Sequence, residues 1–195
     1  MSKLWQKNNQ TTASVEQFTI GKDQLMDQFL AAYDVMGSIA HTTMLSEIGL
    51  LTKAEQVQLK NALIDIYTNI QTGHFSLDAG VEDVHSQVEL LLTQKLGDIG
   101  KKIHSARSRN DQVLVDIKLF MRAEITKLTV SIQSFFTLLQ TKSEAHQADL
   151  LPGYTHLQLA MPSSFGLWFG AYAESLVDDM TMLQAAYKIV NKNPL

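Results

Sequence analysis

Two short polar clusters carry residue types that could do chemistry. The first is Ser108-Arg109-Asn110-Asp111-Gln112; the second is Pro152-Gly153-Tyr154-Thr155-His156-Leu157-Gln158. Arg109 and Asn110 are donors suited to a carboxylate, and an arginine fork can hold one in bidentate fashion. His156 is of the residue type best suited to proton transfer, since histidines as a class change charge near neutral pH. Together they suit an enzyme that removes a proton next to a carboxylate. Four of the 16 Lys/Arg residues fall between Lys101 and Arg109. That segment fits a solvated basic loop or an anion site. A lone His is more often structural, but His156 follows a Pro-Gly turn with Thr155 and Gln158 beside it. A third cluster, Glu82-Asp83-Val84-His85, adds acids and an imidazole; acids there can also simply complement a helix dipole.

These clusters need elements to position them. Between Gly100 and Pro152 there is no Gly and no Pro. Apolar residues at Val113, Ile117, Phe120, Ile125, Leu128, Ile132, Phe135 and Leu139 recur at helical steps. One helix is therefore expected from Asp111 to about Ala148, roughly 55 Å long. Its start would offer free N–H groups and a positive dipole end to an anion. Such length is usual in bundles.

Three more helices are expected upstream. One runs from about Asp23 to Met44, with Met26, Phe29, Leu30, Tyr33, Met36 and Ile39 apolar. The next follows Thr52-Lys-Ala-Glu55, which matches a capping box, and continues through Leu59, Leu63, Ile66 and Ile70 to Gly73. The third covers residues 81–96, with Val84, Val88, Leu91 and Leu92 on one stripe. A last helix is expected from about Pro162 to Asn191, with a small-residue face at Gly166, Gly170, Ala171 and Ala173. Residues 1–20 read as a polar arm. No period-2 run with hairpin turns is found, so the fold class expected is all-α.

Composition narrows the function. The 195 residues carry a net charge of -4, which argues against nucleic acid or an anionic membrane as partner. With no Cys there is no disulfide, thiol nucleophile or Cys-bound metal. The His residues lack HExxH or another compact ligand spacing, so no metal is expected. No P-loop or GxGxxG supports a nucleotide. Met1-Ser-Lys-Leu-Trp-Gln-Lys7 has no apolar h-region of a signal peptide, and no apolar run approaches the ~20 residues of a membrane span. A cytoplasmic location is the expectation.

Taken together, Glu82-Asp-Val-His85, Gly100 to Gln112 and Pro152-Gly-Tyr-Thr-His-Leu-Gln-Leu-Ala-Met-Pro162 resemble the argininosuccinate lyase family of the fumarase/aspartase superfamily. Gly37-Ser-Ile-Ala-His41 fits as well, and the resemblance runs from about Leu4 onward. It implies an all-α fold of three domains whose central domains assemble into a tetrameric bundle, with sites shared between subunits. Residues 1–107 would be an N-terminal helical domain and 108–195 the first part of the bundle. It also implies reversible elimination of argininosuccinate to arginine and fumarate, without cofactor. Ser108, Arg109, Asn110 and Thr155 would hold succinyl carboxylates. His156, with Thr155, would serve proton transfer. Asp83 and His85 would line the site and help hold the guanidino portion and the Gly100–Gln112 segment. Trp5-Gln6-Lys7-Asn8 departs from the family's Trp-Gly-Gly-Arg-Phe opening, and Phe18 to Asp23 supplies no clear substrate-contacting Ser. Family members are roughly twice as long, and their Gly-Ser-Ser-x-Met-Pro loop has no counterpart here. The chain would be the N-terminal part of such an enzyme, inactive alone. Another fumarate-producing lyase, or a crystallin-like scaffold, are the alternatives.

Overall fold

The computed structural model describes Phe18, residues 21–78 and residues 80–194. Nearly all of the expected polar arm therefore lies outside the described residues. The chain divides into two compact units, residues 1–120 with 193–195, and residues 121–192.

Among the described residues, the first unit is built of helices and connecting turns. It contains α1 (Asp23–Asp27), a 3-10 turn (Gln28–Leu30), α2 (Ala31–Glu47), α3 (Lys53–Gln71), α4 (Val84–Leu96), α5 (Asp98–Lys101) and a second 3-10 turn (Lys102–His104). The start of α6 (Arg109–Ala145) completes it. The first expected helix is thus broken at residues 28–30 and runs on to Glu47. The capping box forms as expected. Glu55 N–H donates to Thr52 Oγ1 at 3.2 Å, and Thr52 N–H donates to Glu55 Oε2 at 2.9 Å. Asp83 caps α4, accepting from Ser86 N–H at 2.8 Å. Each such cap contributes about 1 kcal/mol.

Helical spacing carries the core. Val35 and Leu45 of α2, Leu59 and Leu63 of α3, and Val88 and Leu92 of α4 are buried together, with Ile103 sealing one end. Burying a Leu or Val contributes about 1.5–3 kcal/mol. Gly100 sits where only a glycine fits: an added Cβ would lie 2.4 Å from the Leu92 carbonyl oxygen. That contact presses α5 onto α4 and aims the chain toward the 102–104 turn.

In the second unit the rest of α6 is followed by β1 (Leu150–Thr155), β2 (Gln158–Ser164) and α7 (Phe165–Val190). The antiparallel hairpin corrects the expectation of a chain without strands. It also removes Pro162 from a helix, because Pro162 pairs with Pro152 across the ribbon. Proline cannot donate to a ladder, and it is tolerated in an exposed two-stranded ribbon. The turn is His156-Leu157, with φ of 49° and 62°. Both residues at positive φ match a type I′ turn, which normally uses Asn-Gly. His-Leu gives no such signal, so the hairpin was hidden. The helix start is instead Ser164, whose Oγ accepts from Leu167 N–H at 3.1 Å.

The small-residue face of α7 does bring helices close. A Cβ on Gly166 would lie 2.6 Å from both Gln147 Cα and the Ser143 carbonyl oxygen. Ser143 Oγ donates to the Gly166 carbonyl at 2.8 Å. Farther along, Ile132 and Phe136 of α6 face Leu176, Val177 and Met180 of α7 around an apolar cleft. Leu128, Phe135 and Met182 remain exposed. Among the described residues, no helix is long and apolar enough to cross a membrane.

Candidate active site

In the first unit five of the expected site residues, Asp83, His85, Ser108, Arg109 and Asn110, lie at the starts of α4 and α6. Arg109 is the first residue of α6. Its Nε meets Asp83 Oδ2 at 3.1 Å, its Nη1 meets Glu82 Oε1 at 3.3 Å, and its Nη2 donates to Ser86 Oγ at 3.0 Å. The guanidinium is half-buried and fully engaged. It can take a ligand carboxylate by exchanging one of these acids. The freed acids could then face a cationic group on the same ligand.

Ser108 has a second task. Its Oγ accepts from Asp111 N–H at 3.3 Å, and its own N–H donates to Asp111 Oδ2 at 2.9 Å. This reciprocal pair opens α6. Asn110 is exposed beside it. His85 lies buried on α4. Burial, reinforced by the Arg107 and Arg109 charges and offset in part by Asp83, pushes its imidazole down to about 4. It is neutral at physiological pH, able to accept or donate one hydrogen bond at each ring nitrogen. Thr155 and His156 belong to the second unit. Thr155 ends β1 paired with Gln158, and His156 is exposed at the hairpin tip.

Beneath Arg109 the structure shows a polar layer that sequence reasoning missed. Asp34 of α2 and Asp116 of α6 are both buried. Gln112 Nε2 donates to Asp34 Oδ2. Arg107 Nη2 donates to Ser38 Oγ at 3.0 Å, and its charge acts on Asp34, Asp116 and Glu89. Asp34 falls on the buried stripe of Ala31, Val35, Ser38 and Thr42. Asp116 follows Gln112 by one helical turn. A carboxylate on an otherwise core-facing stripe was the available signal. His41, without an evident partner in the sequence, donates from Nε2 to the Ser105 carbonyl at 2.9 Å. Ala106, next to it, adopts φ of 58°. That left-handed residue, costly without a glycine, lies between the bond to His41 and the inward-turned Arg107.

Burial holds both aspartates above the usual carboxylate range. Burial raises Asp34 to about 6, against the lowering effect of Arg107 and Gln112. Burial and then the Asp34 charge raise Asp116 to about 9. Asp34 Oδ1 and Asp116 Oδ1 are buried without a hydrogen-bond partner among the described residues. Both folded values lie above the unfolded one near 4. The stabilisation is therefore complete below pH 4 and is lost as pH rises through 6 and 9. Stability should fall by up to about 1.4 kcal/mol per pH unit for each extra proton held by the fold. Asp116→Asn keeps a neutral group there. Urea unfolding at pH 6 and pH 9 should show the parent losing much more stability than this variant.

Comparison with known proteins then places the chain. The Lyase_1 family model, described as lyase, matches residues 2–195. The chain belongs to this lyase family. It is 60% identical over 193 residues to argininosuccinate lyase of Bacteroides fragilis, covering 99% of this chain and 43% of that protein. Against argininosuccinate lyase of Thermotoga neapolitana it is 38% identical, covering 99% of this chain and 48% of the relative. The chain thus spans less than half the length of these curated relatives. Among solved structures, EDDS lyase with bound fumarate superposes with a TM-score of 0.77 at 22% identity, over 96% of this chain and 37% of that one. A fumarate lyase:delta crystallin from Brucella melitensis gives 0.76 at 18% identity, over 93% and 45%. These two establish the fold of the lyase family, helical and fumarase/aspartase-like as expected, with the hairpin as its small strand element.

Proposed function

We propose that the chain is the N-terminal part of an argininosuccinate lyase, cleaving argininosuccinate to arginine and fumarate. The observation that carries this is 60% identity over 99% of the chain to curated argininosuccinate lyases. The site geometry supports it. The substrate carries both carboxylates and a guanidinium, and the Glu82, Asp83 and Arg109 cluster offers partners of both signs. Carbon–nitrogen cleavage begins with loss of a proton beside a carboxylate, which builds negative charge on that carboxylate. Arg109, Asn110, Ser108 and Thr155 would hold the succinyl carboxylates and stabilise that charge. His156 would transfer a proton. Asp83 and His85 would receive the guanidino end. The chemistry calls for no cofactor.

In this reading residues 1–107 form an N-terminal domain, and residues 108–195 open a central bundle shared by a homotetramer in the cytoplasm. The exposed apolar residues of α6 and α7 support such assembly. Residues 1–195 alone would then be inactive. The test is fumarate release from argininosuccinate by the full-length protein, followed by ultraviolet absorbance. Absence of turnover, with the fold intact, would reject the assignment.

Arg109→Lys probes the anion contact. Lysine is a point charge and cannot reproduce the fork that spans Glu82, Asp83 and Ser86. The expected result is at least a tenfold loss in kcat/KM, about 1.4 kcal/mol. Unchanged steady-state kinetics would remove Arg109 from the site.

A further inference from the structure

We infer that His85, Glu89 and His104 form a binding site for a divalent first-row transition metal, with Zn²⁺ as the fitting ion. One ligand atom from each of the three lies within 4.8 Å of the others. His85 and Glu89 are one turn apart on α4, so both project from the same face. His104 comes from the 102–104 turn, and its ring centroid is 5.6 Å from that of His85. The histidine spacing in the sequence gave no hint of this, because His104 reaches the pair through the fold.

A tetrahedral ion with nitrogen and oxygen ligands at about 2.0–2.2 Å holds them about 3.4 Å apart. Small side-chain rotations close the present cluster to that size. Glu89 Oε2 supplies a further reason. It is buried and has no hydrogen-bond partner among the described residues. A buried carboxylate oxygen in that state is costly, and a cation would satisfy it. Two imidazoles and one carboxylate select Zn²⁺ or Co²⁺ over Ca²⁺ or Mg²⁺, which prefer oxygen ligands alone. Three protein ligands leave a fourth position for water. His104 is exposed, so an ion has a way in.

Two arginines oppose a cation here. Their charges are already met. Arg109 is paired with Glu82 and Asp83, and Arg107 faces Asp34 and Asp116 as well as Glu89. An ion at this place would tie α4 to the 102–104 turn, which leads directly into Ser108 and Arg109. His85 is shared with the proposed substrate site, but the inference does not depend on the reaction.

The experiment uses the full-length protein stripped of metal by a chelator. Co²⁺ is titrated in and followed by its visible absorption, then displaced with Zn²⁺. One ion per chain is expected. Glu89→Gln and His104→Ala should each weaken Zn²⁺ binding at least tenfold while helical circular dichroism stays unchanged. His104→Asn serves if the alanine variant does not fold. Absence of saturable Co²⁺ binding would overturn the inference, as would variants that bind as tightly as the parent.

Discussion

His156→Asn in the full-length protein should lower kcat by about 10²–10⁴-fold, the usual contribution of a general acid or base. The residue stands exposed at the tip of the hairpin, with no core packing to lose. The thermal midpoint should therefore barely move. Asparagine tolerates positive φ well, so the 49° backbone angle is kept at little cost. Activity and stability are thus cleanly separable at this position. A variant with near-normal kcat and a lowered midpoint would make His156 a structural residue of the turn.

The second large effect is expected at Arg107. The charges of three acids, Asp34, Asp116 and Glu89, act on this residue. Arg107→Met keeps the apolar stem and removes the charge. Taking one partner from a buried ionic cluster typically costs about 3–5 kcal/mol. Arg107 is only half-buried, so the lower end applies, about 3 kcal/mol. The loss should depend on pH. Above pH 7 Asp34 is ionised and has lost its counter-charge, so the penalty is full. Near pH 5 Asp34 is protonated, and the penalty should shrink. Urea midpoints of parent and variant at both pH values check this. A pH-independent loss would mean that Arg107 acts by packing alone.

Particular residues show what could be read in advance. Thr52 and Glu55 announced a helix start because a capping box is local chemistry, complete within four residues. The unbroken run from Gly100 to Pro152 announced α6 because helix periodicity needs no tertiary partner. Gly166 was legible as a close-packing residue for a related reason: size alone limits how near two helices come.

The hairpin was illegible. Its ladder holds two prolines and its turn holds His-Leu, and neither resembles the residues that usually form such ribbons. The Asp34–Asp116 pair was also hidden, since α2 and α6 meet only through the fold. Arg109 was read as a candidate anion contact from its neighbours in the chain. Asp83 was expected, through the family resemblance, to help hold the Gly100–Gln112 segment, and it pairs with Arg109. The further contacts to Glu82 and Ser86 were not legible, because those residues lie one element away.

The hairpin also bears on the timing of activity during refolding. An isolated two-stranded ribbon is marginally stable in water, and here Leu157 at its tip is 99% exposed with φ of 62°. Little within the second unit holds Thr155 and His156 in place. Whatever surface eventually meets Leu157 must fix them. If the full-length protein has the proposed lyase activity, its regain after dilution from denaturant should then lag behind regain of helix, and the lag should shorten as protein concentration rises.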